Sequence, residues 1–221
     1  MYFIPLAMLY KNTQRLSKEK RLKIYDLYAE EMLRLSIGQA MDIHWHKGGK
    51  RRISENAYLQ MCAYKTGVLA RFAAKLGAIL GNAGQTQVDA LGKFGEALGI
   101  SFQLQDDILE LLGEEFKRGK GSVGGDIHEG KRTLLVIRTL ERASPRDKRR
   151  LLEILESHPT DERTIGEAIA IIEKYDAIDY TKRKAVSIVG DAWNKVSPLL
   201  QESEAKKTLK SLAEYCTKRN I

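Results

Sequence analysis

The chain has 221 residues, of which 43% are hydrophobic, and 37 lysines and arginines against 29 aspartates and glutamates give a formal net charge of +8. This composition indicates that it can bury a sizeable core. The two cysteines, Cys62 and Cys216, lie far apart, which excludes a CxxC metal site and a disulfide framework and fits a reducing compartment. The basic charge is typical of proteins that meet polyanions, but nucleic acid, an anionic membrane face and phosphorylated small molecules all fit it.

Helices dominate the predicted elements, because few prolines interrupt a sequence rich in Ala, Leu, Lys and Glu and no strand-like alternation occurs. Residues 1–10 are apolar, carry no basic leader and are too few to cross a bilayer. We therefore interpret them as the later part of a helix, and we expect that the given sequence begins inside a domain. Ser17 predicts the cap of a long helix that reaches about His46, and a basic loop at 47–52 should follow it.

The next two predicted helices form the middle of the chain. Ser54 should open a helix that runs to Gly81, and its nearly apolar stretch from 63 to 80 predicts a central, buried position. A third helix should run from about 86 to 112, and the glycine-rich segment 113–130 predicts a long loop of the kind that often carries function. Further helices are expected at about 131–142, 146–157, 161–174, 178–196 and 203–219.

An acidic stripe is predicted on the third helix, within the segment GISFQLQDDILE at 99–110. Gln103, Asp106, Asp107 and Glu110 are three or four positions apart, so they share one helix face. Carboxylates this close repel one another unless a cation lies between them, and Mg²⁺ binds one or two carboxylates together with water and substrate phosphates. The stripe therefore predicts a metal site, with a solvated acidic face as the alternative.

Cationic and hydroxyl side chains elsewhere suit the phosphates that such a metal would carry. Lys65 and Thr66 lie in the most apolar helix, where a lysine is costly unless it is paired, serves an anion or snorkels to the surface. Lys120 and Lys131 flank glycines, which favours phosphate recognition by point charges, although GxxxxGK[ST] is absent. GQAMD at 38–42 combines an amide, an acid and a glycine, and a tight helix crossing is the alternative reading of that glycine.

Four segments, in this order, resemble the trans-isoprenyl diphosphate synthases of the polyprenyl synthetase family. They are GQAMD at 38–42, YLQMCAYKTG at 58–67, GISFQLQDDILE at 99–110 and GKGSVGGDIHEGKRTL at 119–134. The resemblance implies an all-α helical bundle of the isoprenoid synthase type around a central apolar cavity, with residues 1–221 as one domain that lacks its N-terminal helices. It also implies Mg²⁺-dependent condensation of an allylic diphosphate with isopentenyl diphosphate, to a trans-polyprenyl diphosphate of the geranylgeranyl or farnesyl class.

The resemblance further implies a role for individual residues. Mg²⁺ would be held by Asp106, Asp107 and Glu110, where Glu110 replaces the third aspartate of the family's second aspartate-rich motif. The allylic diphosphate would be bound by Lys65, Thr66, Gln103, Lys120 and Lys131. Lys65, Asp106 and Lys131 would be catalytic, because metal and lysines draw charge onto the departing diphosphate.

A homodimer in the cytoplasm, with a product passed to membrane enzymes, is also implied by the resemblance. Nucleic acid is not expected as a partner, because no recognition motif or aromatic–basic interleaving occurs.

One large departure from the family pattern lies at the front of the chain. The family's first aspartate-rich motif, its arginine pair and its Gly-Lys-Arg site for isopentenyl diphosphate precede the GQAMD helix, and nothing here matches them. Gly-Gly-Lys-Arg-Arg at 48–52 follows that helix instead, so we interpret it as a surface loop. We expect that these 221 residues are a piece of a longer catalytic chain. The alternative is that they form a non-catalytic or split subunit that needs a partner chain. Product length is not readable, because in this family it is set largely near the first motif.

Overall fold

The computed structural model describes residues 4–12, 15–49, 52–113 and 124–218, and every regular element in these ranges is a helix. The predicted all-α class is confirmed. The α-helices are α1 (Ile4–Lys11), α2 (Lys18–His44), α3 (Glu55–Cys62), α4 (Val68–Leu80), α5 (Gln85–Leu112), α6 (Gly125–His128), α7 (Leu134–Arg142), α8 (Pro145–Ser157), α9 (Glu162–Glu173), α10 (Ala177–Val196) and α11 (Glu204–Lys218). Within these ranges, no helix combines the length and apolarity needed to cross a membrane.

Two π-helical turns interrupt the long helices that the sequence predicts as regular. Trp45–Gly49 continues α2, and Ala63–Gly67 joins α3 to α4 without a break in the helical path. The predicted basic loop is therefore wrong for residues 47–49, which still belong to a helical turn, while residues 50 and 51 lie outside the described ranges. The predicted caps are confirmed, since Ser17 Oγ accepts from the backbone N–H of Lys20 and Ser54 Oγ accepts from that of Ala57.

The long helix α5 runs through the centre of the bundle and packs along α4 on one side and α10 on the other. Phe94, Leu104 and Ile108 on this helix are almost completely removed from solvent. Burying such side chains is worth about 1.5–3 kcal/mol each, so α5 is strongly anchored. The acidic stripe of the sequence is thus carried by a helix that is well anchored in the core.

Helix α4 is less buried than its apolar sequence predicts. Val68, Arg71 and Ala78 face α2 and α5, but Leu69 and Leu80 remain 52% and 44% exposed. The prediction that residues 63–80 are buried is therefore wrong for α4, because within the described ranges neighbouring helices leave one side of it exposed. Phe72 and Leu76 on α4 line an apolar cavity of about 400 Å³ that α1 and α2 also border.

Glycines allow α2 and α5 to approach the second π turn from two sides. A Cβ atom at Gly38 would lie 2.5 Å from the backbone nitrogen of Lys65, and a Cβ at Gly99 would lie 2.5 Å from the Cα of Gly67. Both distances are too short for a side chain, so only glycine fits without a backbone shift. The tight crossing considered for Gly38 is therefore present, and it fixes the π turn between the two helices.

A buried ion-pair network ties α2, α4 and α5 together below this crossing. Glu31 is 0% exposed and accepts hydrogen bonds from Nε of Arg71 at 3.0 and 2.9 Å, from Nη2 of Arg71 at 2.6 Å and from Nη1 of Arg34 at 3.2 Å. Arg71 also pairs with Glu96 on α5. A buried carboxylate needs this density of donors to offset the loss of hydration.

Candidate active site

Two lysines, one from the second π turn and one from the segment before α7, face the same small recess. Lys65 and Lys131 line it together with Tyr58, Gln103 and Asp107, and the recess has a volume of about 20 Å³. Within the π turn, Lys65 pairs with Asp42 of α2, and the next residue, Thr66, bonds to Gln103 of α5. Single π turns inside α-helices frequently occur at functional sites.

Each of these lysines is paired with an aspartate that the sequence interpretation did not assign. Lys65 Nζ lies 2.6 Å from Asp42 Oδ2, and Lys131 Nζ lies 2.6 Å from Asp126 Oδ1. Burial lowers the pKa of Lys131, but Asp126 and Glu129 outweigh it and raise the pKa well above its ordinary value. Both aspartates stand in the segments quoted above. Asp126 precedes Lys131 by five residues in one segment, which could have revealed that pair, whereas Asp42 precedes Lys65 by 23 residues and lies in a different segment, so no local signal links them.

A chain of hydrogen bonds connects the lysine side of the recess to its acidic side. Thr66 Oγ1 donates to Gln103 Oε1 at 2.8 Å, and Gln103 Nε2 donates to Asp107 Oδ1 at 3.0 Å. The hydroxyl of Tyr58 donates to the other oxygen, Asp107 Oδ2. Tyr58 was missed in the sequence, although its place seven residues before Lys65 puts both on one helix face.

Carboxylates crowd the acidic side of the recess around Asp126. Burial, followed by the charge of Asp126, raises the pKa of Asp107 to about 8, although the hydrogen bonds from Tyr58 and Gln103 lower it in part. Burial, and then the charge and hydrogen bonding of Asp126, raise the pKa of Glu110 to about 7. Without a cation, these groups resist ionisation at neutral pH.

The predicted metal ligands are only partly brought together. Asp107 and Glu110 both lie near Asp126, while Asp106 is the half-buried neighbour of Asp107 on α5. Within the described ranges, no three Asp, Glu, His or Cys side chains form a ready metal cage. The donor set nevertheless fits Mg²⁺, which prefers carboxylate oxygens, uses few protein ligands and leaves positions for phosphate and water. Its positive charge would also relieve the repulsion that raises both pKa values.

One predicted phosphate ligand falls outside this geometry. Lys120 belongs to residues 114–123, which lie outside the described ranges. Lys65, Thr66, Gln103 and Lys131, by contrast, are all found at or next to the recess. The ligand roles of these residues remain predictions.

An all-α bundle in which half-buried lysines and carboxylates meet at one recess defines a class of protein suited to a polyanion and a hard cation. The comparisons with known proteins identify the family, because the family model described as polyprenyl synthetase matches residues 2–172. The chain belongs to the polyprenyl synthetase family.

Several relatives support this assignment. The chain is 36% identical over 190 residues to a short chain isoprenyl diphosphate synthase of Methanothermobacter thermautotrophicus, covering 86% of this chain and 57% of the relative. It is 33% identical over 205 residues to a geranylgeranyl diphosphate synthase of Sulfolobus acidocaldarius, covering 92% and 61%. The fold matches the crystal structure of a geranylgeranyl pyrophosphate synthetase from Pyrococcus horikoshii with a TM-score of 0.82 and 32% identity, over 93% of this chain and 61% of the other.

The chain thus spans about three fifths of the length of these relatives.

Proposed function

We propose that the intact protein is a Mg²⁺-dependent prenyltransferase and that this chain supplies its allylic-diphosphate site. It would condense an allylic diphosphate with isopentenyl diphosphate to a longer trans-polyprenyl diphosphate of the geranylgeranyl or farnesyl class. The observation that carries the proposal is the recess where Lys65 and Lys131 meet Asp107 and Gln103. The names of the relatives, which include short chain isoprenyl and geranylgeranyl diphosphate synthases, support the same substrate class.

The lysine–aspartate pairs suggest how the site accepts its substrate. In the free protein, Asp42 and Asp126 occupy the donors of Lys65 and Lys131. Diphosphate oxygens would compete for these donors as charge-assisted acceptors, and Thr66 would turn its hydroxyl from Gln103 toward phosphate. The lysines are thus held in place before substrate binds, which lowers the cost of ordering them.

The proposed chemistry depends on charge at the departing diphosphate. Bound Mg²⁺ would supply Lewis-acid stabilisation of that charge, and Asp106, Asp107 and Glu110 would be its ligands. Lys65 and Lys131 would stabilise the same charge from fixed positions, which is most effective where water is excluded. The assignment of Lys120 to the diphosphate rests on the sequence resemblance.

The second candidate function is a split or non-catalytic subunit that requires a partner chain. It is favoured by the absence of a DDxxD motif from these 221 residues and by the three-fifths coverage of the relatives. A homodimer, a cytoplasmic location and transfer of the product to membrane enzymes remain predictions.

The test is incorporation of labelled isopentenyl diphosphate by the full-length protein with geranyl or farnesyl diphosphate and Mg²⁺. Asp106→Asn should lower kcat by about a hundredfold or more, because it removes charge stabilisation from the transition state. Asp89→Asn is the matched control, since Asp89 is an exposed residue of the same helix. Unchanged turnover in Asp106→Asn would contradict the assigned role, and turnover that appears only after a second chain is added would establish the split subunit.

A further inference from the structure

Both oxygens of Asp107 are held by side chains from different parts of the fold. Gln103, one turn earlier on α5, donates to Oδ1, whereas Tyr58 reaches Oδ2 from α3, 49 residues earlier in the sequence. Tyr58 is 3% exposed and Asp107 is 5% exposed, so water cannot substitute for either donor. Tyr58 itself is packed among Met61, Cys62 and Leu104 in one hydrophobic cluster.

This arrangement matters because an aspartate side chain does not orient itself. Rotation of the carboxylate about its last torsion is broad, with no sharp preferred angle. A metal-binding carboxylate must be held within about 0.5 Å and 10–20° of its productive geometry by supporting hydrogen bonds. Gln103 lies on the same helix as Asp107 and fixes one oxygen, so a donor from another element is needed to fix the plane.

We propose that Tyr58 is a positioning residue, whose hydroxyl sets the plane of the Asp107 carboxylate so that it can bind a divalent cation carrying diphosphate. The inference rests on the proposed function in placing that cation at Asp107. Tyr58 contacts neither substrate nor metal in this assignment and acts through Asp107. Its rigid ring, two torsions and buried packing suit it to this task better than a flexible polar side chain.

The same hydrogen-bond chain links the two ends of the site. Tyr58 and Thr66 belong to the α3–π turn segment, and they hold Asp107 and Gln103 of α5 from opposite ends. Because the Gln103 amide donates to Asp107 with Nε2, its Oε1 must face Thr66. Binding of diphosphate at Thr66 and of a cation at Asp107 are therefore coupled through one amide orientation.

The test measures Mn²⁺ binding to the full-length protein by electron paramagnetic resonance in the presence of inorganic diphosphate. Asp107→Asn, measured in parallel, identifies the Mn²⁺ site concerned. Tyr58→Phe should weaken that site about tenfold or more, as expected when a group that orients a metal ligand is lost. The matched control is Tyr180→Phe, which also removes a phenol–carboxylate hydrogen bond, from Tyr180 to Glu55 Oε2 at 2.5 Å.

Tyr180→Phe should leave the Mn²⁺ affinity unchanged. An unchanged affinity in Tyr58→Phe, or an equal loss in both variants, would overturn the inference. If Tyr58→Phe does not fold, p-aminophenylalanine at position 58 replaces it in the test. This side chain keeps a para N–H donor and should retain most of the affinity, and a full loss of the site would overturn the proposal.

Product formation separates this inference from the function on which it rests. A wild-type protein that shows Tyr58-dependent Mn²⁺ binding but elongates no prenyl chain would refute the function and leave the positioning role intact. If the enzyme elongates prenyl chains but its Mn²⁺ affinity does not depend on Tyr58, the positioning role is refuted and the function stays intact.

Discussion

Replacing Arg71 by methionine should destabilise the fold by about 3–5 kcal/mol, the cost of leaving one member of a buried ion pair without its partner. Arg71 donates three hydrogen bonds to Glu31, Arg34 donates one, and Glu31 is 0% exposed. Arg34 would then remain beside a carboxylate that water cannot reach. Glu96, the other partner of Arg71, has a side chain that is 29% exposed and can regain water, so it adds little to the cost.

The same reasoning predicts that the loss is largely reversed when the second charge is removed too. A Glu31→Leu/Arg71→Met double variant buries no charge at this position, and such replacements are often neutral or stabilising by about 1–4 kcal/mol. The measurement is urea-induced unfolding followed by circular dichroism for wild type, both single variants and the double variant. A cost below about 1 kcal/mol for Arg71→Met would refute the reasoning, because that is the range of an exposed pair. A double variant as unstable as Arg71→Met would refute it equally.

Two further predictions concern packing and pH. Gly38→Ala should lower the free energy of unfolding by about 1–3 kcal/mol, because the new Cβ would collide with the backbone of Lys65. Gly77→Ala is the control, because that position has open space around it and the substitution should not destabilise the fold. Thermal unfolding of both variants checks the prediction. In metal-free protein, Asp107 with a pKa of about 8 binds a proton that the unfolded chain has released. The free energy of unfolding should therefore fall as pH rises between about 4 and 8. In urea unfolding with EDTA present, Asp107→Asn should make this dependence on pH weaker. The same dependence in the variant and in the wild type would contradict the raised pKa assigned to Asp107.

The helices could be predicted from the sequence because caps, apolar periodicity and proline breaks are local signals. Ser17 and Ser54 cap their helices as expected, and the stripe on α5 does place Gln103 one turn from Asp107. The pairing of Lys65 with Asp42 could not be predicted in this way, because it joins residues 23 positions apart through a crossing of two helices. The covered and uncovered sides of α4 depend likewise on neighbours that periodicity does not specify.

The burial of Asp107 shows a second limit of the sequence. An acidic stripe reads equally well as a solvated face, and the choice depends on whether another element covers it. Tyr58 provides that cover from α3, and its hydroxyl makes burial of the carboxylate tolerable. The acid cluster around Asp126 likewise forms only when the segment before α7 returns to α5.

The π turn at Ala63–Gly67 has a consequence for insertions and deletions. Each π turn holds one residue more than an α-turn, so residues beyond it are rotated by about 100° relative to an unbroken α-helix. That rotation lets one continuous helical rod turn Tyr58 and Lys65 toward the recess and, a few residues later, turn Arg71 toward Glu31. Deleting one residue between 63 and 67 would leave composition and length almost unchanged, yet it would put one of these two faces out of register. The number of residues in this segment is therefore a constraint of its own, separate from the roles proposed for the Lys65 and Thr66 side chains.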